Sequence, residues 1–383
     1  MITKMRNKKL KKIKVAIFIS DVGFGHMVRQ REIILSLLKK KNIDITIVNG
    51  LQIEILKETF GDKIKYIKRF NNIELVKTKN GFLDKKETFR TLDNWNSKLK
   101  SDFLFFKKNF KNFNFIMSDF VPQVFYYSKK LNIKCYGVCH FSWSWFFETV
   151  YPNKKNLIVN KMKKYENMAE FFFLPPFTPA GVYKKITDIN KIKDVNYIIA
   201  SYQTTKVNNK KKTFLIMDNG TQTLSNLISE TIPYIDKMKN YIFYIGISSL
   251  SNKATEIILK SNNILPITTL RGMYSYIGKV DHIIARGGFN SITECLFFKK
   301  PTIFMNEKFN PEIDENLKMV LGRNLGSIMN KNDWKSNFKK KIDKFVKKDV
   351  RVIKKNLKRF DFKDNGADQI LKTIFKDKSI WQK

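Results

Sequence analysis

Short apolar runs alternate with amphipathic stretches along the whole chain. Lys14–Ser20 is an apolar run of strand length, followed by a turn rich in glycine and then a helix-spaced stretch over Met27–Lys40. Asp44–Val48 predicts the next strand, Gln52–Thr59 a helix and Lys63–Lys68 a strand. Helical spacing continues over Lys86–Asn109. Phe113–Met117 predicts a strand ending at Ser118-Asp119, Pro122–Leu131 a helix, and Lys134–Val138 a strand ending near His140. A βαβ series of this kind implies a parallel sheet with helices on both faces.

Around Val207–Lys212 (VNNKKK) the chain turns polar and charged, and the series then restarts. Thr213–Met217, Tyr241–Ile247, Asp281–Ala285 and Thr302–Met305 read as strands. Gln222–Lys237, Phe289–Phe298 and Glu312–Leu321 read as helices, and a Lys-rich helical tail begins at Asn332. The expected architecture is therefore α/β, with two Rossmann-like doubly wound domains, 1–206 and 207–383. Such domains face a central cleft at the C-terminal ends of their strands. No repeat at a solenoid period is present.

Composition narrows the class. The 383 residues, 43% of them hydrophobic and 33 of them Phe, suffice for two cores. The formal net charge of +39 comes from 73 Lys and Arg against 34 Asp and Glu. Only ten of the cations are Arg, whose planar fork suits base edges and phosphates. No nucleic-acid motif accompanies the charge, so nucleic-acid binding is not expected. The Lys, spread evenly and mixed with Asn and Ile, matches the composition of an AT-rich genome. It also suits peripheral contact with an anionic membrane. Cys135, Cys139 and Cys295 all lie in apolar segments without metal-ligand spacing, which fits a reducing cytoplasm and gives neither a disulfide framework nor a zinc site. The basic N-terminus leads into an apolar run of only Val15–Ser20, too short for a signal peptide. Nowhere do about 18 apolar residues run together, so no transmembrane helix is expected.

The densest candidate chemistry lies in Asp281–Met305, DHIIARGGFNSITECLFFKKPTIFM. A strand ends in Arg286-Gly287-Gly288, and Asn290-Ser291 opens a helix carrying Glu294. The turn frees backbone N–H groups at a positive helix N-terminus, where an anion can sit. The glycines admit a ligand close to the backbone, and Glu294 can accept two hydrogen bonds from a vicinal diol. A plain structural turn remains the alternative. Asp218-Asn219-Gly220-Thr221 follows another strand and meets another helix, so it can donate to the same diphosphate. Glu312–Asn316 supplies carboxylates and an amide suited to sugar hydroxyls, or an ordinary acidic first turn. In the first half, Ser20-Asp21-Val22-Gly23-Phe24-Gly25-His26 follows the first strand. There His26 can act as a general base for an acceptor hydroxyl. Asp119, at another strand end, can orient that ring, or it can simply cap the next helix. His140 is either an acceptor contact or a satisfied polar group beneath aromatics; His282 reads as structural.

Together these residues resemble a glycosyltransferase of the two-Rossmann-domain (GT-B) type. The resemblance is closest to the peptidoglycan N-acetylglucosaminyltransferase group, of the family 28 C-terminal kind. ARGGFNSITECLFFKKPTIFM is similar to that group's donor-binding motif, and GFGH to its N-terminal glycine loop. GFGHMVRQ and SDFVPQVFYYSKKLNIKCYGVCHFSWSW also resemble the glycosyltransferase-like domain fused to some sugar kinases. The resemblance implies that 1–206 is the acceptor side and 207–383 binds the nucleotide sugar. Glu294 would bind the ribose hydroxyls. Arg286, Gly287, Gly288, Asn290 and Ser291, with Asn219, Gly220 and Thr221, would hold the diphosphate. Thr268–Met273 would lie against the base, often uracil, with Met273 among the contacts. Glu315 and Asn316 resemble the acidic/amide pair that faces the donor sugar, and Gly23 and Gly25 are grouped with the donor contacts. His26 matches the glycine-loop histidine, a catalytic base in some relatives, with Asp119 assisting and His140 on the acceptor side. The first loop lacks the extra glycine of the peptidoglycan enzyme, and Asn219 stands where a glycine is common.

The expected activity is inverting, metal-independent transfer from a nucleotide-diphosphate sugar, with no cofactor and no metal; no DxD motif occurs. The expected acceptor is a hydroxyl compound, lipid-linked or a polysaccharide precursor, and the expected setting is the cytoplasm or the inner membrane face. Two alternatives remain open: a nucleotide-sugar hydrolase or epimerase on the same fold, and a non-catalytic nucleotide-sugar-binding protein.

Overall fold

The computed structural model describes residues 12–22, 25–71, 73–78, 83–152, 156–199, 210–217, 222–247, 250–268, 275–307, 309–360, 362 and 364–381, with side chains left out at 222–224. Two all-parallel sheets organise it. The first contains β1 (Ile13–Ile19), β2 (Ile43–Asn49), β3 (Lys65–Lys68), β4 (Phe115–Asp119), β5 (Lys134–Val138), β6 (Phe171–Leu174) and β7 (Ile192–Asp194). Their spatial order is β3-β2-β1-β4-β5-β6-β7. The second contains β8 (Lys212–Met217), β9 (Tyr241–Gly246), β10 (Ile264–Ile267), β11 (His282–Arg286), β12 (Thr302–Met305) and β13 (Ser327–Met329), in the order β10-β9-β8-β11-β12-β13. In each sheet the order reverses beside the first strand, between β1 and β4 and between β8 and β11. Ligands of open α/β sheets bind at such switch points, outside the carboxyl ends of the strands.

The central strands are apolar because both of their faces are covered. In β1, all residues but Lys14 are buried. The helix that follows it, α1 (Gly25–Leu38), buries Met27, Val28, Ile33, Ile34 and Leu37. Each such side chain contributes roughly 1.5–3 kcal/mol. The other helices are α2 (Ile53–Phe60), α3 (Lys85–Phe110), α4 (Pro122–Lys130), α5 (Trp143–Val150), α6 (Leu157–Glu166), the short α7 (Ala180–Tyr183), α8 (Gln222–Ile235), α9 (Asn252–Lys260), α10 (Phe289–Phe297), α11 (Pro311–Gly322), α12 (Phe338–Lys344), α13 (Val350–Leu357) and α14 (Gly366–Phe375). Local capping sets several of their starts. Asp84 accepts from Glu87 N at 3.0 Å at the head of α3, and Asn310 from Glu312 N at 3.2 Å at the head of α11, where Pro311 also fits the first turn.

The Lys-rich tail divides between the domains. Phe338, Ile342, Phe345, Ile353 and Leu357 join the second domain's core. The last helix, α14, crosses back instead. Its Ala367, Ile370, Leu371 and Ile374 pack with Ile13, Val15 and Ile17 in the core of the first domain. Ser36 Oγ donates to Asp368 Oδ1 at 2.8 Å, and Asn114 Nδ2 to the Ile380 carbonyl at 2.8 Å. The stretch expected in 207–383 as one unit therefore contributes its final helix to the other sheet. Among the described residues no helix is long and apolar enough to cross a membrane.

Candidate active site

The first sheet's switch point brings His26 and Asp119 together. Asp119 is the last residue of β4, paired in register with Ile19 of β1, and His26 is the second residue of α1. His26 Nδ1 lies 2.8 Å from Asp119 Oδ1. Asp119 caps no helix: the cap of α4 is Val121, and Ser118 Oγ bonds the Val121 backbone in its place. Phe120, immediately after Asp119, has φ 61, a region that costs a bulky residue about 1–3 kcal/mol. Its ring meets His26 edge-on at 4.6 Å, and its carbonyl accepts from Trp143 Nε1 at 2.9 Å. The aromatic packing behind the turn thus fixes the end of β4.

Two residues not singled out in the sequence complete this cluster. Arg29 Nε donates to Asp119 Oδ2 at 3.1 Å and its NH2 group to Oδ1 at 2.5 Å, while Gln30 Nε2 donates to Oδ2 at 2.7 Å. Asp119 has no exposure and Arg29 only 1%. Burial alone would raise the Asp119 pKa, but the Arg29 charge and His26 outweigh it and hold the carboxyl below its usual value. The turn after β1 is braced by Asp21, which accepts from the backbone N–H groups of Gly50, Leu51 and Asn71 at 2.6, 3.2 and 2.8 Å. Burial raises the pKa of this carboxyl.

The second domain closes directly onto this cluster. Asn290, on the first turn of α10, donates through Nδ2 to the carbonyl of Gly25. A Cβ at Gly25 would lie 2.8 Å from that nitrogen, so a larger residue there would shift the Asn290 side chain. His140 stacks on Phe289 with ring centroids 4.2 Å apart and 14° between planes. Its Nε2 lies 3.0 Å from Glu312 Oε1, an oxygen that also accepts from Phe289 N at 3.4 Å. Burial lowers the His140 pKa to about 4, so the ring is neutral. Against the opposing effect of burial, the hydrogen bond from His140 and the Arg286 charge hold Glu312 at about 2. Arg286 Nε donates to Glu307 Oε2 at 2.5 Å, and Lys77 from the first domain pairs with the same carboxylate. Burial, then the charge of Arg286, pulls Lys77 down to about 7.

The remaining expected residues divide. Gly287 closes the turn under α11, where a Cβ would lie 2.7 Å from Leu317 Cδ2; Gly288 is the N-cap of α10 and Ser291 lies on its first turn. Glu294 is buried at 4% exposure, and burial followed by the charge of Glu32 raises its pKa to about 8. Asn316 is buried and donates to the Gly287 carbonyl at 3.2 Å, supporting the turn. Glu315 is bound to Lys318 Nζ at 2.6 Å, and Glu312 is the carboxylate that enters the cluster. His282 is buried between Phe214 and Phe345 in the core. Gly23, Asn219, Gly220, Thr221 and Met273 lie outside the described residues, as does most of the stretch expected against the base. Among the described residues no group of three or more His, Cys, Asp or Glu is gathered as a metal ligand set.

Arg29 and Gln30 interrupt the apolar face of α1, and a buried polar pair on such a face is the signal that marks them. Lys77 and Glu307 lie in loops and carry no comparable sequence signal.

Residues 190–373 match the model of the glycosyltransferase family 28 C-terminal domain. Over that stretch, just under half of the chain, the second domain is similar to the family 28 C-terminal domain. Two curated relatives bear the name UDP-N-acetylglucosamine--N-acetylmuramyl-(pentapeptide) pyrophosphoryl-undecaprenol N-acetylglucosamine transferase. The protein from Thermosipho africanus is 29% identical over 127 residues, covering 32% of this chain and 36% of the relative. That from Thermosipho melanesiensis is 27% identical over 180 residues, covering 46% and 49%. The chain thus spans about half or less of the length of the curated relatives it matches. Solved structures extend the likeness to both domains. The calicheamicin glycosyltransferase CalG4 superposes with a TM-score of 0.67 at 11% identity, covering 96% of this chain and 98% of that one. Phytolacca americana UGT2, complexed with UDP-2-fluoro-glucose and pterostilbene, gives 0.66 at 11%, covering 97% and 100%. At such identities the likeness speaks for the fold, and the fold is GT-B.

Proposed function

We propose that this protein is a glycosyltransferase that moves a sugar from a nucleotide-diphosphate donor to an acceptor hydroxyl with inversion at the anomeric carbon. The observation that carries the reading is the 2.8 Å contact between His26 and Asp119, at the switch point of one domain and facing the turn of a domain similar to family 28. Asp119 accepts the Nδ1 hydrogen of His26 and leaves Nε2 with its lone pair. Nε2 then takes the acceptor's hydroxyl proton as that oxygen forms its bond to the anomeric carbon. The bond from that carbon to the diphosphate breaks, and its electron pair leaves with the nucleoside diphosphate. Asp119 stabilises the imidazolium that results.

In the same reading the Arg286–Ser291 turn and the first turn of α10 take up the charge of the departing diphosphate, and Asn219, Gly220 and Thr221 are assigned to the same group. Glu294 accepts the two ribose hydroxyls. The relatives' name, with its UDP-linked donor and undecaprenol-linked acceptor, supports a uridine diphosphate sugar and a lipid-linked acceptor for this chain as well. A cytoplasmic enzyme docked on an anionic membrane face accords with that acceptor. Lys129, Lys130, Lys161 and Lys164 line an open groove between α4 and α6, beside the 86% exposed Leu157.

The test is thermal-shift screening against nucleoside diphosphates and their sugars, because a ligand of the folded state raises its apparent stability by mass action. The reading expects uridine diphosphate and one of its sugars to raise the unfolding temperature. No response to any nucleotide refutes the donor assignment. Release of free sugar without acceptor, at the rate seen with it, identifies a hydrolase.

A further inference from the structure

We propose that Lys77, on the first domain, is a positioning residue for the donor's diphosphate: by neutralising Glu307 across the seam it leaves the charge of Arg286 free for the phosphates. The inference rests on the diphosphate role proposed above for the Arg286 turn, and it adds a first-domain residue to that site. Arg286 Nε donates to Glu307 Oε2 at 2.5 Å, and Glu307, at 2% exposure, pairs through its other oxygen with Lys77. A Cβ at Gly288 would lie 3.6 Å from Arg286 Nη1, so the guanidinium borders the N-cap of α10. Among the described residues its Nη groups make no hydrogen bond. The Nε edge is thus anchored, and the outer edge is left for an anion at the helix N-terminus.

The charges at the seam show why a second cation is needed there. On the second domain's side Arg286 is positive, while Glu307 and Glu312 are both negative. Glu312 is held ionised against burial by its hydrogen bond from His140. That side alone therefore carries a net negative charge, which repels a diphosphate. The neighbouring groups cancel or are neutral. Arg29 pairs with Asp119, and Arg31 lies 4.0 Å from Glu32. Burial keeps His140 and Glu294 uncharged near neutral pH, and His26 enters the proposed reaction as a neutral base. Lys77 brings the sum from one negative charge to zero. A unit charge at such range changes the affinity for an anion by roughly 10-fold.

The contact is built into both domains. Lys77 forms an antiparallel bridge with Leu83, Asp84 N donates to the Val76 carbonyl at 2.8 Å, and Val76 N donates to Thr88 Oγ1 at 3.0 Å. These bonds tie the segment to the head of α3. From there Lys85 Nζ lies 5.1 Å over the ring of Phe309, in the same second-domain loop as Glu307. Phe309 holds φ 69, a conformation that a bulky residue keeps only where its surroundings enforce it. The first domain thus grips this loop twice, and Glu307 has its second cation only while the domains are together.

Titration calorimetry with inorganic pyrophosphate and with uridine diphosphate tests the proposal. The working pH is 6.5, below the value of about 7 to which burial and then Arg286 lower Lys77. Lys77→Met is expected to weaken both ligands roughly 10-fold, and Lys77→Arg to stay within about 3-fold of native. Glu307→Gln keeps an acceptor for Arg286 Nε but removes a negative charge, so it should tighten both ligands roughly 10-fold. A purely structural ion pair predicts weaker binding instead. Lys77→Met combined with Glu307→Gln restores the native charge and should return to within about 3-fold of native affinity. Equal affinity of native protein and Lys77→Met overturns the proposal. Weaker binding by Glu307→Gln overturns it even if Lys77→Met does not fold. Pyrophosphate binding in the expected order, with no response to any nucleotide, removes the nucleotide donor and leaves Lys77 its role. Uridine diphosphate binding indifferent to these charges removes Lys77 alone, and binding of neither ligand overturns both.

Discussion

Glu294→Gln should make the protein more stable at alkaline pH while weakening its hold on a nucleotide. The Glu294 carboxyl is buried at the seam, near Glu32 of α1, and its pKa rises from 4.5 to about 8. An acid whose folded pKa is raised binds its proton more tightly in the folded state. The folded protein therefore bears no penalty from this group below 4.5. It loses stability progressively as pH rises from 4.5 to about 8, and the loss is complete above that. The gap corresponds to roughly 5 kcal/mol, and relaxation of the seam reduces it to on the order of 3–5 kcal/mol. Gln keeps the shape and removes the charge. Native and variant should unfold at similar temperatures at pH 5, and the variant should gain about 5–15 °C at pH 8.5. Scanning calorimetry across that range reads the difference, and titration calorimetry with uridine diphosphate reads the binding. A stability difference that does not change with pH refutes the placement of this carboxyl in a desolvated seam. Undiminished nucleotide binding by the variant refutes its role at the ribose.

Asp119→Ala leaves Arg29 buried without its carboxylate and should cost about 3–5 kcal/mol in urea unfolding. The native carboxyl, with its pKa lowered, contributes stability that is present above the unfolded value near 3.8 and lost as pH falls through the lower folded one. The stability gap between native and variant should therefore shrink toward strongly acidic pH. Ile370→Ala, in a helix that packs on the other domain, should destabilise by about 2–5 kcal/mol. Its effect should appear as earlier exchange of amides in β1 and β2, not in the second sheet. Replacing Lys129 and Lys161 by Glu should reduce sedimentation with vesicles rich in anionic lipid while leaving uridine diphosphate binding unchanged; sedimentation equal to the native protein refutes the membrane-facing assignment of that groove.

Much of this architecture is legible because central parallel strands need long apolar runs. β1, β5 and β12 announce themselves within a residue of their observed limits. The edge strands β7, β10 and β13 are three or four residues long, too short for periodicity to separate from loops. The alternation also suggests His26 and Asp119, because both follow strands at a predicted cleft. It does not suggest Arg29, whose role exists only once β4 and β5 bring Asp119 and His140 to it. Glu312 and Glu315 look alike in PEIDENLK; the helix packing turns the first toward His140 and leaves the second to Lys318. The amphipathic pattern of 366–375 is plain, but which sheet it covers is decided by tertiary packing.

The central claim is that His26 is the base for glycosyl transfer. The most direct measurement compares nucleoside diphosphate release by native protein and His26→Ala at equal donor occupancy, once screening has supplied the donor and an acceptor. The account predicts a fall of about 10²- to 10⁴-fold in release, with uridine diphosphate affinity unchanged. Release by His26→Ala at the native rate would contradict it.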